Sequence, residues 1–413
     1  MSLSIALKAR FVFPVSGPPA ADGVVTLAGD RIAAVGPTAD GPCEIEDLGN
    51  VAILPGLVNA HTHLEFSALP RPLGEPGMAF PDWIRRAVEF RRGRANDPRG
   101  AVRQGLEESL RAGATLLGEI AQPGWPREEF DASPIEAAIF LESIGLAADR
   151  AANKLDEARR HLAAPRGAGP RPGLSPHAPY TVHPELFAGL TALAAAADAP
   201  LAFHLAESRE ELELLLTGGG PFRELLESLG AWDPAAIPRG TRPIDYLRRL
   251  AEARVRALVV HGNYLDAEEI AIVAQARERM SVVYCPRTHA FFRHSRHPLP
   301  RLLAAGANVA IGTDSRASNP DLSVLEELRL IAREFPELRP AAILELGTLR
   351  GAQALGQADR AGSLAPGKLA NLAIVALADR DAVDPHELLF DSALPVVKTI
   401  CRGRAWQGVE SKE

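Results

Sequence analysis

Apolar residues along this chain fall in short runs, divided by Pro/Gly turns or by longer stretches with helical spacing. In the first fifty residues the runs are Phe11-Val12-Phe13, Val24 to Leu27 and Ile32 to Val35, with Gly29-Asp30 placed for a hairpin turn. A sheet that small needs a partner to bury its face. The strand-like runs Leu372 to Val375 and Val396 to Ile400 at the other end can supply one. Between them, apolar runs occur at Leu57–Ala60, Thr115–Ile120, Ala137–Leu141, Arg171–Ser175, Leu201–Phe203, Ala257–Val260, Ser281–Tyr284 and Asn308–Ile311. Helical stretches such as Pro184 to Ala197, Asp266 to Arg279 and Pro298 to Ala305 separate most of them. Strands alternating with helices in this way predict an α/β protein, a (β/α)8 TIM barrel. A doubly wound sheet is the alternative, but no Gly-x-Gly-x-x-Gly follows the first strand. The expected organisation is a barrel over 56–355, with 1–55 and 356–413 folding together as a small β-sandwich. Two long connections, Phe66 to about Asp97 and Thr217 to Pro243, read as lids or pocket walls.

Composition narrows the function classes. Hydrophobic content of 46% and charged content of 23% fit an ordinary globular protein. A net charge of −7 without a basic stripe speaks against nucleic-acid binding, and no apolar run reaches membrane-spanning length. Cys43, Cys285 and Cys401 are too few and too scattered for a disulfide framework or a Cys-x-x-Cys metal site. With no signal-peptide pattern at the start of the chain, the expected location is the cytoplasm.

Candidate chemistry collects at the strand ends, where barrels of this kind carry their sites. His61-Thr62-His63 closes the first strand, and residues at i and i+2 of a strand point the same way. Alone, the pair is either half a metal site or two structural histidines. His177 follows the fourth run, His204 and Glu207 the fifth, His261 the sixth and Asp314 the eighth. Each has an ordinary reading, such as a hydrogen-bonded core histidine or, for Asp314, a helix N-cap. All of them together at strand ends point to a site that binds metal and moves protons.

The motifs Pro-Gly-Leu-Val-Asn-Ala-His-Thr-His (55–63), Ser-Pro-His-Ala-Pro-Tyr (175–180), His-Leu-Ala-Glu-Ser (204–208), Val-His-Gly (260–262), Cys-Pro (285–286) and Gly-Thr-Asp-Ser (312–315) resemble the amidohydrolase superfamily. Within it they look like the deaminase and chlorohydrolase branch. The closing segment 362–372 fits too, apart from Asn371 where an Asp is usual.

The resemblance implies one divalent metal ion, Zn2+ or else Fe2+, held by His61, His63, His204 and Asp314, a donor set that suits either ion. No lysine stands at a barrel strand end to bridge a second ion, so the site is expected to be mononuclear. The metal would make hydroxide available near neutral pH, Glu207 would shuttle protons, and His261 with Asp314 would share their handling. Substrate contacts are expected from His177, Glu65, Trp83, Arg287 and His289. The ordinary readings of the last two are a structural ion pair and a loop cap, and that of Trp83 is lid packing.

The segments 61–67, 286–292 and 312–319 look most like members acting on adenine-containing nucleosides, aminodeoxyfutalosine deaminases among them. The implied reaction is hydrolytic deamination of a small N-heterocycle with release of ammonia. Hydrolytic dechlorination, cyclic-amide hydrolysis or a non-catalytic purine-binding barrel are the alternatives. A homodimer is implied by habit of the branch.

Overall fold

A computed structural model of the chain describes residues 5–39, 41, 43–93, 97–147, 151–163 and 169–407. Its centre is a sheet of eight parallel strands: Leu57–Thr62, Ala114–Ala121, Glu136–Ser143, Arg171–Pro176, Leu201–Leu205, Ala257–His261, Met280–Tyr284 and Asn308–Ile311. Each pairs with the next in chain order, and a parallel bridge between Thr62 and Asp314 joins the first to the eighth. The result is a (β/α)8 barrel.

Alternation along the strands sorts two cores. Val58, Ala60, Leu116, Ile120, Phe140, Leu258 and Val260 meet inside the barrel. Residues of opposite parity, such as Phe203, Leu205, Val259 and Val282, pack outward with helix residues like Leu186 and Leu247. The interior is tight enough to fix some residue sizes: a Cβ on Gly118 would lie 2.3 Å from the Ala60 carbonyl oxygen.

The terminal segments form two further sheets. One runs Arg31–Gly36, Val24–Ala28, Ile5–Lys8, Glu44–Asp47. Its hairpin turns at Gly29-Asp30, pairing Ala28 with Arg31. The other runs Arg404–Ala405, Val396–Cys401, Leu372–Ala376, Val51–Pro55, Phe11–Val12, Ala20–Ala21. Leu7, Val25 and Ile32 of the first pack with Ile53, Leu372 and Ile400 of the second in one buried cluster. Asn371 sits at the hand-over from sheet to barrel. Its backbone carbonyl accepts the Gly56 N–H at 2.8 Å, and its side-chain oxygen accepts the Arg402 N–H at 2.8 Å.

The two long connections are more ordered than their Pro/Gly content implied. The first holds a helix, Phe80–Arg92, and the second a helix, Pro221–Ser228. Both start at a proline or just before one, where its missing N–H costs nothing. Residues 94–96 of the first connection lie outside the described residues. Among the described residues, no helix is long and apolar enough to cross a membrane.

Asn59 fastens the seam between the first and eighth strands. Its Nδ2 donates to Thr313 Oγ1 at 2.7 Å, and its Oδ1 accepts the Thr313 N–H at 3.0 Å. Both residues are fully buried, so an unmade bond there finds no water. Asn59→Ala is expected to cost about 2–4 kcal/mol by urea denaturation; an unchanged midpoint would show that the seam closes without it.

Candidate metal centre and active site

Strict alternation would point neither His61 nor His261 into the barrel, because Ala60 and Val260 already face inward. Local departures from strand geometry bring both to the centre. The ladder between the first two strands slips between Asn59 and Thr62, which re-aims His61. His261 has φ +69°, and the same left-handed region holds Ala206 at +55° and Asp314 at +56°. Non-glycine residues pay about 1–3 kcal/mol each for that conformation, and it persists where surroundings enforce it. Here His261 and Asp314 line one cavity, and Ala206 immediately precedes Glu207, which lines it too.

The histidines converge tightly. Ring centres of His61 lie 4.9 Å from both His63 and His204, and 5.8 Å from His261. One nitrogen from each of His61, His63 and His204 falls within 4.8 Å of the others. Asp314 Oδ1 is 3.6 Å from His61 Nε2 and 3.7 Å from His63 Nε2. Donor atoms around a tetrahedral zinc stand about 3.3 Å apart for bonds of about 2.0 Å, so this set fits with small adjustment.

Two further observations fit a cation. Both ring nitrogens of His61 and Nδ1 of His63 are buried with no protein partner, which is costly unless something else satisfies them. His204 directs Nδ1 to the His177 carbonyl at 2.8 Å. That bond places the proton on Nδ1 and leaves Nε2 as a bare donor. Burial holds His204 neutral, pushed down to about 3, and depresses His63 well below the usual range. Neutral imidazoles are the ligating form.

Beside them, His261 Nε2 lies 3.3 Å from Glu207 Oε1. Burial raises the Glu207 carboxyl well above its usual value, with the Asp314 and Glu211 charges adding to it. His177 Nδ1 meets Thr181 Oγ1 at 2.7 Å, and burial lowers it to about 3. His63, His177, His204, Glu207, His261 and Asp314 all line one cavity, and Trp83 is in its wall. The Trp83 ring stacks on Phe80 at 5.8 Å, and its indole N–H donates to the Ala317 carbonyl at 3.0 Å.

Three residues singled out as substrate contacts are engaged elsewhere and do not line that cavity. Arg287 makes a bidentate ion pair with Asp321 at 2.6 and 3.0 Å. His289 Nε2 meets the Ser295 carbonyl at 2.9 Å, and Glu65 accepts from Arg91 at 2.6 and 3.1 Å. Their partners satisfy them, so a substrate contact would have to break a charge-assisted or buried bond.

Other site residues were not singled out from sequence. Glu211 accepts the backbone N–H groups of Ala206 at 2.9 Å and Glu207 at 2.7 Å, clamping the strained turn that presents Glu207. Asn263 Nδ2 donates to the Glu207 carbonyl at 2.9 Å, and Ser318 Oγ to Asp314 Oδ2 at 3.0 Å. Ser208-x-x-Glu211 does spell a helix start, and Ser208 Oγ accepts the Glu211 N–H at 3.2 Å. Nothing in that pattern says the carboxylate reaches back to Glu207. Arg91 and Tyr180 also line the cavity.

A barrel with a buried three-histidine, one-carboxylate cluster at its C-terminal strand ends defines the class of proteins that work with a divalent metal in this fold. The chain belongs to the amidohydrolase family, which it matches over residues 52–406. An aminodeoxyfutalosine deaminase of Deinococcus radiodurans is 32% identical over 365 residues, 81% of each chain. Among solved structures, an aminofutalosine deaminase of Helicobacter pylori in complex with methylthio-coformycin has a TM-score of 0.84 at 21% identity. That match covers 97% of this chain and 100% of the other. An adenosine deaminase of Xanthomonas campestris with bound zinc has a TM-score of 0.77 at 25% identity, over 98% of this chain and 93% of the other.

Burial pushes the Glu211 carboxyl up to about 7, against the backbone N–H bonds that pull it down. Between its ordinary value near 4.5 and 7, the folded protein holds a proton that the unfolded chain has released. Stability from this group is therefore full below the lower value and is lost as pH rises through about 7. Glu211→Gln should abolish that part of the slope, so the gap between wild-type and variant denaturation midpoints shifts toward the variant from pH 5 to pH 8. A pH-independent gap would place the Glu211 proton elsewhere.

Proposed function

We propose that the protein is a metal-dependent hydrolytic deaminase that replaces the exocyclic amino group of an adenine nucleoside by oxygen and releases ammonia. The observation that carries this reading is the pairing of the unsatisfied histidine cluster with a buried Glu207, 3.3 Å from His261, in one cavity. The names of the relatives support the substrate class, aminodeoxyfutalosine and adenosine deaminases among them.

His61, His63, His204 and Asp314 would hold one divalent ion, with zinc the first choice for three imidazoles and a carboxylate. When bound, such an ion supplies Lewis acidity that makes a hydroxide nucleophile available near neutral pH. The remaining work belongs to the chain. Glu207 carries a proton to the ring nitrogen beside the carbon under attack, so that the addition leaves no charge on the ring. It then takes the proton of the hydroxyl added to the ring carbon and passes it to the departing amino group, which leaves as ammonia as the carbonyl forms. His261, 3.3 Å from Glu207, orients that carboxyl and the nucleophile's proton. His177, kept neutral, offers a ring nitrogen to the heterocycle. Trp83 and Phe80 wall the site against bulk water.

Glu207→Gln is expected to keep stoichiometric metal while ammonia release falls about 10²–10⁴-fold. His204→Ala is expected to lose the metal, measured by elemental mass spectrometry, together with activity. Full turnover in Glu207→Gln would remove it from the proton path. An undiminished metal content in His204→Ala would disprove the ligand set. Chelation should also lower the melting temperature of the wild type, because ion binding is folding energy when its ligands come from separate strands; an unchanged melting temperature on metal removal would uncouple the site from the barrel.

A further inference from the structure

Glu207 and His261 meet at 3.3 Å, yet the two are held there by different means. Glu207 has Glu211 and Asn263 fastened to its backbone. His261 sits instead at the centre of a three-residue bend. Its φ is +69°, and the Gly262 N–H donates back to the Val260 carbonyl at 3.1 Å, sharing itself with the Leu205 carbonyl at 3.1 Å. A hydrogen bond from residue i+2 to residue i across a positive φ makes a γ-turn of the rare, strained hand. Strand alternation alone would send the His261 ring toward the helices, because Val260 faces the barrel interior. The bend is what turns it toward Glu207.

A second histidine grips that bend from outside the cavity. His297 Nε2–H donates to the His261 carbonyl at 3.0 Å. His297 is 2% exposed and is not part of the cavity wall. Its Nδ1 is buried with no protein partner, so the bond to His261 is the one its ring makes among the described residues. The ring stacks on Tyr284 at 3.8 Å with planes 16° apart, and the His289 ring meets it edge-on at 5.8 Å. These neighbours fix the ring plane and with it the direction of the Nε2–H. Burial pushes the His297 pKa down to about 3, with His289 adding to it, so the donor is neutral.

Resting on the deaminase reading above, we infer that His297 is a positioning residue for the reaction: by holding the His261 carbonyl, it keeps the strained turn that aims the His261 imidazole at Glu207. A buried carbonyl that loses its donor finds no water in exchange. Strained backbone persists only where its surroundings enforce it, so the peptide relaxes and carries the imidazole away from Glu207. His297 itself touches no substrate, and its bond goes to none of the four proposed metal ligands. Its loss therefore falls on the chemical step and spares metal and substrate binding.

The test compares His297→Phe, which keeps a stacking ring without a donor, with His297→Gln, whose amide nitrogen reaches as far as Nε2. The readouts are metal content by elemental mass spectrometry, and kcat and KM for ammonia release by the metal-loaded full-length protein. The substrate is whichever of adenosine and 5′-methylthioadenosine the wild type turns over faster. A misplaced imidazole is expected to lower kcat by roughly 10- to 100-fold in His297→Phe. KM should stay within about threefold of wild type, the sign of a loss confined to the transition state. Metal content should be unchanged, and His297→Gln should regain most of the lost kcat. His297→Asn, too short to reach the carbonyl, carries the same comparison if the phenylalanine variant is insoluble. Wild-type kcat in a variant without the donor overturns the inference. So does a loss that His297→Gln does not restore, or one carried by KM or by metal content; the deaminase reading stands in each case. A wild type that releases ammonia from neither nucleoside overturns both.

Discussion

The barrel closes through the residues proposed to hold the metal. Asp314 donates its N–H to the His61 carbonyl at 3.0 Å, and the His63 N–H and the Thr62 hydroxyl return to the Asp314 carbonyl at 3.2 and 2.8 Å. The seam of the fold and the floor of the site are therefore one object. A shift in the register of the last strand would misplace a carboxylate and two imidazoles together. That dependence accounts for the polar reinforcement around the seam. Asn59 binds Thr313 twice, Asn319 Nδ2 donates to the Thr313 carbonyl at 2.9 Å, and Glu327 then accepts from Asn319 and from the Arg287 N–H. Arg287 serves the site by bracing this network.

Opposite the seam, the Glu207 turn is held by a different device. Left-handed backbone at Ala206 exposes two N–H groups to one carboxylate, Glu211, and a third tie comes from Asn263. Strain and its compensation sit side by side, as expected where a proton-carrying side chain must be held still. Both devices place charged or amide side chains in the dry interior, and most of their hydrogen bonds run to backbone groups, which limits what such residues cost a core.

Much of this was legible in the sequence because it follows from alternation and from where strands stop. The eight apolar runs lie within the eight barrel strands, and the His-x-His, His204, His261 and Asp314 positions meet because barrel strand ends must converge. Alternation also misleads: by parity alone His61 and His261 face the helices, and only a ladder slip and a positive φ turn them inward. Those are tertiary consequences with no local signature. The pairing of Arg287 with Asp321 and of Glu65 with Arg91 was equally hidden, since both partners come from distant segments. The helix Phe80–Arg92 is obscured in the sequence because proline and glycine crowd its approach, although a proline in the first turn of a helix is ordinary.

The sheet beneath the barrel has a consequence for how the chain is made. Val51–Pro55, which leads directly into the His61 strand, pairs with Leu372–Ala376, a strand far downstream that leaves the ribosome much later. On its other side it has only the two-residue strand Phe11–Val12. Throughout synthesis the strand that anchors the first two histidines thus presents an open hydrogen-bonding edge, and the seam at Asp314 is missing until late. The protein is expected to commit to its native barrel only after the strand Leu372–Ala376 is available, with assembly of the catalytic pocket a late event of folding.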